Sequence, residues 1–148
     1  MKVLLQRSKN SKVTINGKIN GQIDKGYVCF VGFTDGDTQE LVDKMIKKII
    51  NLRVFEDENE KMNLSILDIN GNILSISQFT LYADTTKGNR PSFVHALNPN
   101  DASKLYDYFN DKLNEYVHVE TGIFGSDMKV EIYNDGPVTI MLNSEELF

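Results

Sequence analysis

Cysteine, histidine and tryptophan are almost missing from this sequence, and their scarcity excludes several kinds of chemistry. The single cysteine, Cys29, lies in the apolar run YVCFVGF, which rules out an internal disulfide and is typical of core packing in a reducing compartment. The histidines His95 and His118 are far apart, and no CxxC, HExxH or GxSxG motif is present. We therefore predict no metal site, no cofactor and no serine-hydrolase elbow.

Long hydrophobic runs are missing as well. No segment approaches the roughly 18 apolar residues that a membrane span requires, and the apolar stretch in MKVLLQRSKN is too short for a signal peptide. These absences predict a soluble, cytoplasmic protein with no membrane partner. The net charge of -5 argues against a broad basic surface that coats nucleic acid, but it leaves room for a local RNA-binding patch.

The chain fits one domain, since no repeat, linker or low-complexity segment divides residues 1–148. Asn16-Gly17 predicts a β-hairpin, because both central positions of a type I′ turn require positive φ. The predicted strands cover residues 2–6, 12–15, 27–33, 53–55, 62–69, 73–80, 128–133 and 138–142.

Two helices are predicted, over residues 38–52 and 99–116. Apolar residues recur at three- and four-residue spacing in the first, with Asp37 and Glu40 arranged as a capping box, and Pro99 suits the first position of the second. Many strands with two main helices indicate an α+β domain, in which a mainly antiparallel sheet curls or closes into a β-barrel-like core. Short apolar edge segments favour a homodimer.

Three polar segments interrupt strand patterns and can carry chemistry. Ser77-Gln78-Phe79-Thr80 ends a predicted strand, where hydroxyls, an amide and free N–H groups can converge on a carbonyl. The loop TKGNRPSF at 86–93 offers two cations that suit a phosphate or a carboxylate. Gly136-Pro137 opens the run VTIML, and its glycine lets a ligand approach the backbone. Taken singly, each segment is also explained as a strand end, a solvated loop or a turn.

Taken together, longer sequence motifs in and around these segments resemble those of one family. They are QR at 6–7, RVFEDENEKMNLSILD at 53–68, SQFTLYAD at 77–84, KGNRPSF at 87–93, ETGIFGSDM at 120–128 and NDGPVT at 134–139. From residue 1 to residue 142 the chain closely resembles the D-aminoacyl-tRNA deacylases of bacterial and eukaryotic type. The resemblance implies a homodimeric hydrolase that binds the aminoacylated 3′ end of tRNA and cleaves the ester of a D-amino acid, and also that of glycine.

The resemblance also implies the catalytic residues. Ser77 and Gln78 are expected to position the substrate, and the N–H groups of Phe79 and Thr80 to stabilise the oxyanion. A lone threonine is a weak nucleophile without a partner base, so we favour attack by water, with the neighbouring 2′-hydroxyl of the RNA as a second source of assistance.

A second set of residues is implied in chiral selection. In the family, the backbone carbonyls of a cis Gly-Pro segment enter the partner subunit's site and exclude L-residues by a clash. This role falls on Gly136 and Pro137, with Thr139 beside them, and Arg7 is expected to brace the segment by hydrogen bonding.

Two departures from the family pattern concern charge and polarity. Thr86 and Asn89 stand where relatives often have basic residues, which leaves Lys87 and Arg90 as the cations expected at the tRNA end, with a shallower salt dependence. Residues 8–13, SKNSKV, are more polar than usual, which affects the neighbourhood of Arg7 rather than the core.

Two other functions stay open from the residues alone. A non-catalytic nucleic-acid-binding module would use the 87–90 loop, with SQFT merely structural, although the acidic composition disfavours it. A small-molecule esterase would use the same SQFT segment and would accept esters of simple alcohols.

Overall fold

The computed structural model describes residues 1–148 and contains a five-stranded sheet with two helices on one face. The strands are β1 (Lys2–Ile15), β2 (Lys18–Gly32), β3 (Phe55–Glu56), β4 (Met62–Leu64), β5 (Asn72–Ser77), β6 (Val119–Thr121) and β7 (Lys129–Asn143). The helices are α1 (Gln39–Asn51), α2 (Pro99–Leu113) and α3 (Ser144–Leu147), with a 3₁₀ helix at Phe79–Tyr82. The large sheet has the order β6-β5-β2-β1-β7, and β3 and β4 form a separate pair.

A long hairpin of β1 and β2 organises the sheet. Its turn lies at Asn16 and Gly17, whose φ angles are 50° and 74°, as the Asn-Gly signal predicts. Both strands are longer than predicted, because they continue through the polar stretches 7–11 and 20–26. Backbone pairing extends β1 and β2 along these stretches although many of their side chains are exposed.

The sheet is mixed and open. β1 pairs antiparallel with β2 and β7 along most of its length, whereas the pairs β2–β5 and β5–β6 are parallel and short. The α+β prediction and the predominance of antiparallel pairing are confirmed. The barrel-like alternative is wrong for the single chain, because β6 and β7 are two unjoined edges. Parallel pairs depend on long crossover connections, which strand periodicity does not reveal.

Helix α1 occupies the predicted position, but its cap differs from the prediction. The cap is Thr38, whose hydroxyl accepts a hydrogen bond from a backbone N–H of the first turn at 3.2 Å. The capping box of Asp37 and Glu40 is wrong, because the Asp37 carboxylate is bound instead to the ammonium group of Met1. Helix α2 begins at Pro99 as predicted and ends earlier, at Leu113.

The main core lies between the two helices and one face of the sheet. Tyr27, Phe55 and Phe109 are among its largest fully buried side chains. Cys29 is fully buried in this core, and burial raises the pKa of its thiol, which confirms its packing role. A smaller apolar cluster around Val28 covers the other face of the sheet.

Several elements in the second half of the chain differ from the predictions. The predicted strand 73–80 ends at Ser77, and the predicted strand 62–69 is only the short β4, followed by a turn. The predicted strands 128–133 and 138–142 are two parts of β7. Neither β6 nor α3 has a sequence signal of its own. None of the helices has the length and apolarity to cross a membrane.

Candidate active site

The Ser77–Thr80 segment leaves the sheet where β5 ends. Ser77 is the last residue of β5 and pairs with Val31, whose carbonyl also accepts from the Gln78 N–H at 2.7 Å. The chain then turns into the 3₁₀ helix, and Phe79, 57% exposed, projects from the end of the sheet. The sheet therefore fixes Ser77 and Gln78, while the next two residues face outward.

Phe79 and Thr80 present backbone N–H groups without partners in the fold. They are the first residues of the 3₁₀ helix, where N–H groups have no acceptor within the helix. No backbone carbonyl elsewhere in the chain accepts from either group. Two adjacent free N–H groups are donors of the kind that stabilise an oxyanion.

The Thr80 hydroxyl has no general base beside it. Its oxygen accepts a hydrogen bond from the Gln78 Nε2 at 2.5 Å, and its hydrogen-bond contact is an amide, not a histidine or a carboxylate. Without a base, a threonine hydroxyl at neutral pH is a poor nucleophile. Gln78 instead holds the Thr80 side chain against the turn.

A cavity of about 540 Å³ opens beside this turn, within the size range of sites for small ligands. Its walls come from the ends of β2 and β5, the start of α2, and the loop between β6 and β7. Ser77, Gln78 and Phe79 line one side, with Phe93 and Phe124 among the aromatic residues around them. The lining is mostly apolar, so it suits a planar or hydrophobic group.

Gly32 permits the close approach of β2 to the Ser77–Thr80 turn. A Cβ at this position would lie 2.8 Å from the Gln78 carbonyl oxygen and 3.3 Å from the Leu81 Cβ. Real Cβ atoms do not approach backbone so closely, so any side chain at residue 32 would displace the turn.

The loop after the 3₁₀ helix holds the two expected cations. Asp84 and Ser92 close its base through paired backbone hydrogen bonds of 2.7 Å and 2.9 Å. The N–H and hydroxyl of Thr86 both donate to the Asp84 carboxylate and lower its pKa. Lys87 and Arg90 lie exposed at the tip of this loop, outside every ion pair of the chain. They are free to meet an anion.

Arg7 braces the Gly136-Pro137 segment from inside the fold. Its side chain is nearly buried, and its Nε donates to the Asp135 carbonyl at 3.2 Å while Nη1 donates to the Val54 carbonyl at 2.7 Å. The Asp135 carboxylate lies 3.3 Å from the same Nε. The guanidinium therefore ties the segment to the chain that leaves α1.

The segment itself bulges out of the β1–β7 ladder. Gln6 pairs with Thr139 and Ser8 with Asn134, so residues 135–138 stand opposite the single residue Arg7. Within the bulge the Gly136-Pro137 peptide bond is cis, and both residues are exposed.

Asn134 and Thr139 close the neck of this bulge. In the amide orientation that satisfies its neighbours, Asn134 donates to the carbonyls of Val138 and Arg7 at 3.1 Å each and accepts from the Thr139 hydroxyl at 2.9 Å. Side chains from β1 and β7 thus fix the backbone on both sides of Gly136.

The polar stretch SKNSKV also has a structural role next to the bulge. Ser8 and Ser11 are buried and hydrogen-bonded to each other, and the Ser11 Oγ accepts from the Tyr133 N–H at 3.0 Å. Between them, Asn10 adopts a φ of 48° at an irregularity in the pairing. The unusual polarity is therefore satisfied internally.

Within one chain, strand geometry puts the bulge about 20 Å from the Ser77–Thr80 turn. β2 and β1 lie between β5 and β7, which gives three spacings of about 4.8 Å. Ser77 pairs with Val31 on β2, and Val31 pairs with Val3 on β1. Arg7 lies four residues beyond Val3, which adds about 13 Å along the strand. One chain does not bring residues 136–137 to its own Ser77.

The site combines two free backbone N–H donors with a mostly apolar cavity, and no group of three or more His, Cys, Asp or Glu side chains in the fold could hold a metal ion. A family model described as "D-Tyr-tRNA(Tyr) deacylase" matches residues 4–143. The chain belongs to this family. Family membership implies a hydrolase that acts on the ester bond of an aminoacyl-tRNA.

Solved structures match the chain over nearly its full length. One, named "c-Myc DNA Unwinding Element Binding Protein", is 39% identical with a TM-score of 0.92, over 97% of this chain and 98% of that one. Another, "Structural Analysis of a probable eukaryotic D-amino acid tRNA deacylase", is 18% identical with a TM-score of 0.82, over 95% and 97%. The second likeness shows that the fold is shared.

Sequence reasoning missed several residues around the cavity. Phe93 belongs to the KGNRPSF word, yet its aromatic contact with Phe79, with centroids 5.0 Å apart, has no signal in the sequence. Gly32 looks like an ordinary strand residue. The loop 124–128 belongs to the ETGIFGSDM word, which marks the region but not its place in the wall.

Proposed function

We propose that this protein hydrolyses D-aminoacyl-tRNA and glycyl-tRNA and leaves L-aminoacyl-tRNA intact, so that D-amino acids are removed from tRNA in the cytoplasm. The observation that carries the proposal is the pair of unpartnered N–H groups at Phe79 and Thr80 beside the cavity. That the substrate is an ester of an amino acid with tRNA is inferred from membership in the family. The finer selectivity rests on the Gly136-Pro137 bulge.

The chemistry needs little from side chains, because an aminoacyl ester is already reactive. Ser77 and Gln78 position the ester, and the Phe79 and Thr80 N–H groups stabilise the negative charge that develops on the carbonyl oxygen. Water attacks the carbonyl carbon, the bond to the ribose oxygen breaks, and the ribose 3′ or 2′ oxygen takes a proton. The absence of a base beside Thr80 favours water over a covalent threonyl intermediate.

Discrimination between D and L comes from exposed backbone at Gly136 and Pro137, with Thr139 and Arg7 holding it in place. An L side chain would collide with main-chain atoms, whereas a D side chain or the hydrogen of glycine would not. Exclusion by a clash requires that the Gly136-Pro137 backbone be rigid. The buried Arg7 guanidinium holds this backbone in place through its hydrogen bond to the Asp135 carbonyl.

The Gly136-Pro137 backbone of one chain acts on the ester bound at the Ser77–Thr80 turn of a second copy. The separation of about 20 Å between residues 136–137 and Ser77 within one chain, estimated from strand spacing, excludes their joint action on one ester. β7 is an open edge with an exposed Tyr133 and Met141, which suits contact with another copy. Lys87 and Arg90 approach the phosphates of the tRNA end.

The first experiment compares D-tyrosyl-tRNA, L-tyrosyl-tRNA and glycyl-tRNA at enzyme concentrations well below substrate. Loss of the D and glycyl esters with the L ester intact is expected. Equal loss of all three esters would contradict the proposed exclusion of L-aminoacyl-tRNA. No loss of any ester would contradict the proposed deacylase activity. A D-tyrosine ester of a simple alcohol serves as control, since efficient cleavage of that ester would indicate a small-molecule esterase.

Sharing of the site between copies is tested by mixing variants. Chains with Phe79→Pro lack one N–H donor but keep the bulge, and chains with Gly136→Ala keep the donors but have a disturbed bulge. In a mixed dimer, the intact turn of one chain receives the intact bulge of the other. The ratio of D to L hydrolysis is therefore expected to rise on mixing; an unchanged ratio would mean that each chain works alone.

A second candidate function is DNA binding, because the solved structure that is 39% identical is named as a DNA-unwinding-element binding protein. Lys87 and Arg90 offer only two free cations in that loop, on a chain of net charge -5. A salt titration of binding to single-stranded DNA and to uncharged tRNA separates the candidates. Steep salt dependence with DNA and no deacylation would favour DNA binding.

A further inference from the structure

The outer edge of β5 loses its strand partner just before the Ser77–Thr80 turn. β6 pairs with β5 only as far as Ser75, whose carbonyl accepts from the Gly122 N–H at 3.2 Å. On the opposite edge, the Gln78 N–H donates to β2. Because backbone groups alternate between the two edges of a strand, the Ser77 N–H faces the edge where β6 has ended. The end of β5 therefore needs a partner of another kind on this side.

The Tyr106 side chain of α2 takes the place of β6 at this edge. Its hydroxyl donates to the Ser75 carbonyl at 2.8 Å, so this carbonyl accepts from both Tyr106 and Gly122. Tyr106 is only 3% exposed. Burial raises the pKa of its hydroxyl, and hydrogen bonds with Ser75, Asn110 and the Ser77 backbone oppose that rise. The phenol therefore stays protonated at neutral pH and contacts the last residues of β5.

The same side chain lies directly behind the cavity. Ala102 precedes Tyr106 by one helical turn, lies on the same face of α2, and is part of the cavity lining. The Tyr106 ring also packs beside Phe124, another lining residue, with the ring centroids 6.0 Å apart. Tyr106 does not itself line the cavity. It joins the end of β5 to the wall that α2 and the loop after β6 form.

We propose that Tyr106 is a positioning residue, whose hydroxyl fixes the end of β5 and thereby the direction of the free N–H groups of Phe79 and Thr80. The proposal rests on the proposed function, because these two groups are taken as the oxyanion donors. Ser77 connects the bonded edge to the donors, since it lies two residues after Ser75 and two before Phe79. Loss of the hydroxyl should therefore misplace the donors and leave the apolar lining of the cavity unchanged.

The test compares Tyr106→Phe, which deletes the hydroxyl and keeps the ring, with the matched control Tyr108→Phe. Tyr108 lies on the same helix, but its hydroxyl donates to the Asp43 carboxylate of α1 at 2.9 Å. Each chain is assayed with D-tyrosyl-tRNA at a temperature where circular dichroism shows it to be folded. We expect kcat to fall about tenfold in Tyr106→Phe, with KM within about twofold of wild type, because small displacements of catalytic groups are costly. In Tyr108→Phe, kcat should stay within about twofold of wild type.

Hydrogen exchange without substrate separates positioning from a general loss of stability. In Tyr106→Phe, the Ser77 and Gly122 amides should exchange about fivefold faster than in wild type, because their shared partner is gone. The Ile73 amide, which donates to the His118 carbonyl earlier in β5, should be unchanged. In wild type, the Ser77 amide should exchange about tenfold more slowly than the Phe79 amide, so the contact is tested even if the variant does not fold.

Four outcomes would each overturn the proposal. They are wild-type kcat in folded Tyr106→Phe, an equal loss of kcat in both variants, a loss confined to KM, and exchange at Ser77 that is as fast as at Phe79 or unchanged by the substitution. If wild type itself fails to deacylate, the exchange rates still decide whether Tyr106 holds the end of β5, and only the proposed function is lost.

Discussion

The Ser77–Thr80 turn and the Gly136-Pro137 bulge expose their backbone in opposite ways. At residues 77–80, strand β5 stops and two N–H groups are left without acceptors beside an apolar cavity. At residues 135–138, the backbone is exposed, but side chains from β1 and β7 hold it by hydrogen bonds. In the proposed function, the donors that meet a developing charge are left free, whereas the backbone that excludes the L ester is held rigid.

This difference explains why the two regions have such different sequences. The turn needs polar residues at a strand end and a glycine across from it, while the bulge needs a buried cation and an amide within reach. Mutations should therefore affect the two regions differently: changes at the turn alter rate, and changes around the bulge alter stability and selectivity.

Removing a single N–H from the turn should have the largest effect. Phe79 is the first residue of the 3₁₀ helix, where proline fits the backbone, so Phe79→Pro deletes the donor with little other disturbance. We expect kcat for D-tyrosyl-tRNA to fall about 10²–10³-fold relative to Phe79→Ala, which keeps the N–H and loses the ring. Equal rates for these two variants would exclude Phe79 from the oxyanion site.

Removing the brace should mainly affect stability. Arg7→Met leaves the Val54 and Asp135 carbonyls without their donor, so we expect the free energy of unfolding in urea to fall by about 3 kcal/mol. Lys9→Met is the matched control, since Lys9 is half-exposed and 3.5 Å from the same Asp135 carboxylate, and its loss should cost less than about 0.5 kcal/mol.

The folded fraction of the Arg7→Met protein should also discriminate less well between D- and L-tyrosyl-tRNA. A brace that matters only for folding would leave that ratio unchanged. The two measurements together show whether rigidity of the bulge, rather than its presence, excludes the L ester.

A side chain on Gly32 tests how closely the turn is fitted to β2. The Cβ of Gly32→Ala would lie 2.8 Å from the Gln78 carbonyl oxygen, so the turn must move away. We expect kcat/KM to fall about tenfold, because a displacement of this size misplaces the donors. Wild-type kcat/KM in a protein of normal melting temperature would show that the turn tolerates the shift.

The parts of the site that the sequence could predict are the local ones. The change from apolar to polar residues marks Ser77–Thr80 as a special segment, but the predicted strand continues to residue 80, whereas β5 ends at Ser77 and the 3₁₀ helix after it has no sequence signal. Asn16-Gly17 fixes a hairpin because φ is a local property. These features depend on neighbours within a few residues.

The parts that escaped prediction depend on contacts between distant residues. Asp37 lies three residues before Glu40 and matches a capping box, yet its carboxylate binds the buried Met1 ammonium, 36 positions away in the sequence. The brace at Arg7 was expected only from resemblance, since nothing in its spacing points to residue 135. Strand β6 is three residues long and exists through its pairing with β5.

The smallest expected effect concerns the exposed loop that carries Lys87 and Arg90, which belongs neither to the Ser77–Thr80 turn nor to the Gly136-Pro137 bulge. Lys87 and Arg90 are unpaired in the chain, so replacing both with alanine should leave kcat unchanged and weaken binding of uncharged tRNA. Each cation that contacts a phosphate contributes about one to the slope of log affinity against log salt concentration, so the slope should become shallower by about two. Glu60→Ala, a change at an exposed residue of the β3–β4 turn, should not make the slope shallower. If the double variant retains the wild-type salt dependence, other residues bind the tRNA phosphates, and Lys87 and Arg90 have no part in tRNA binding.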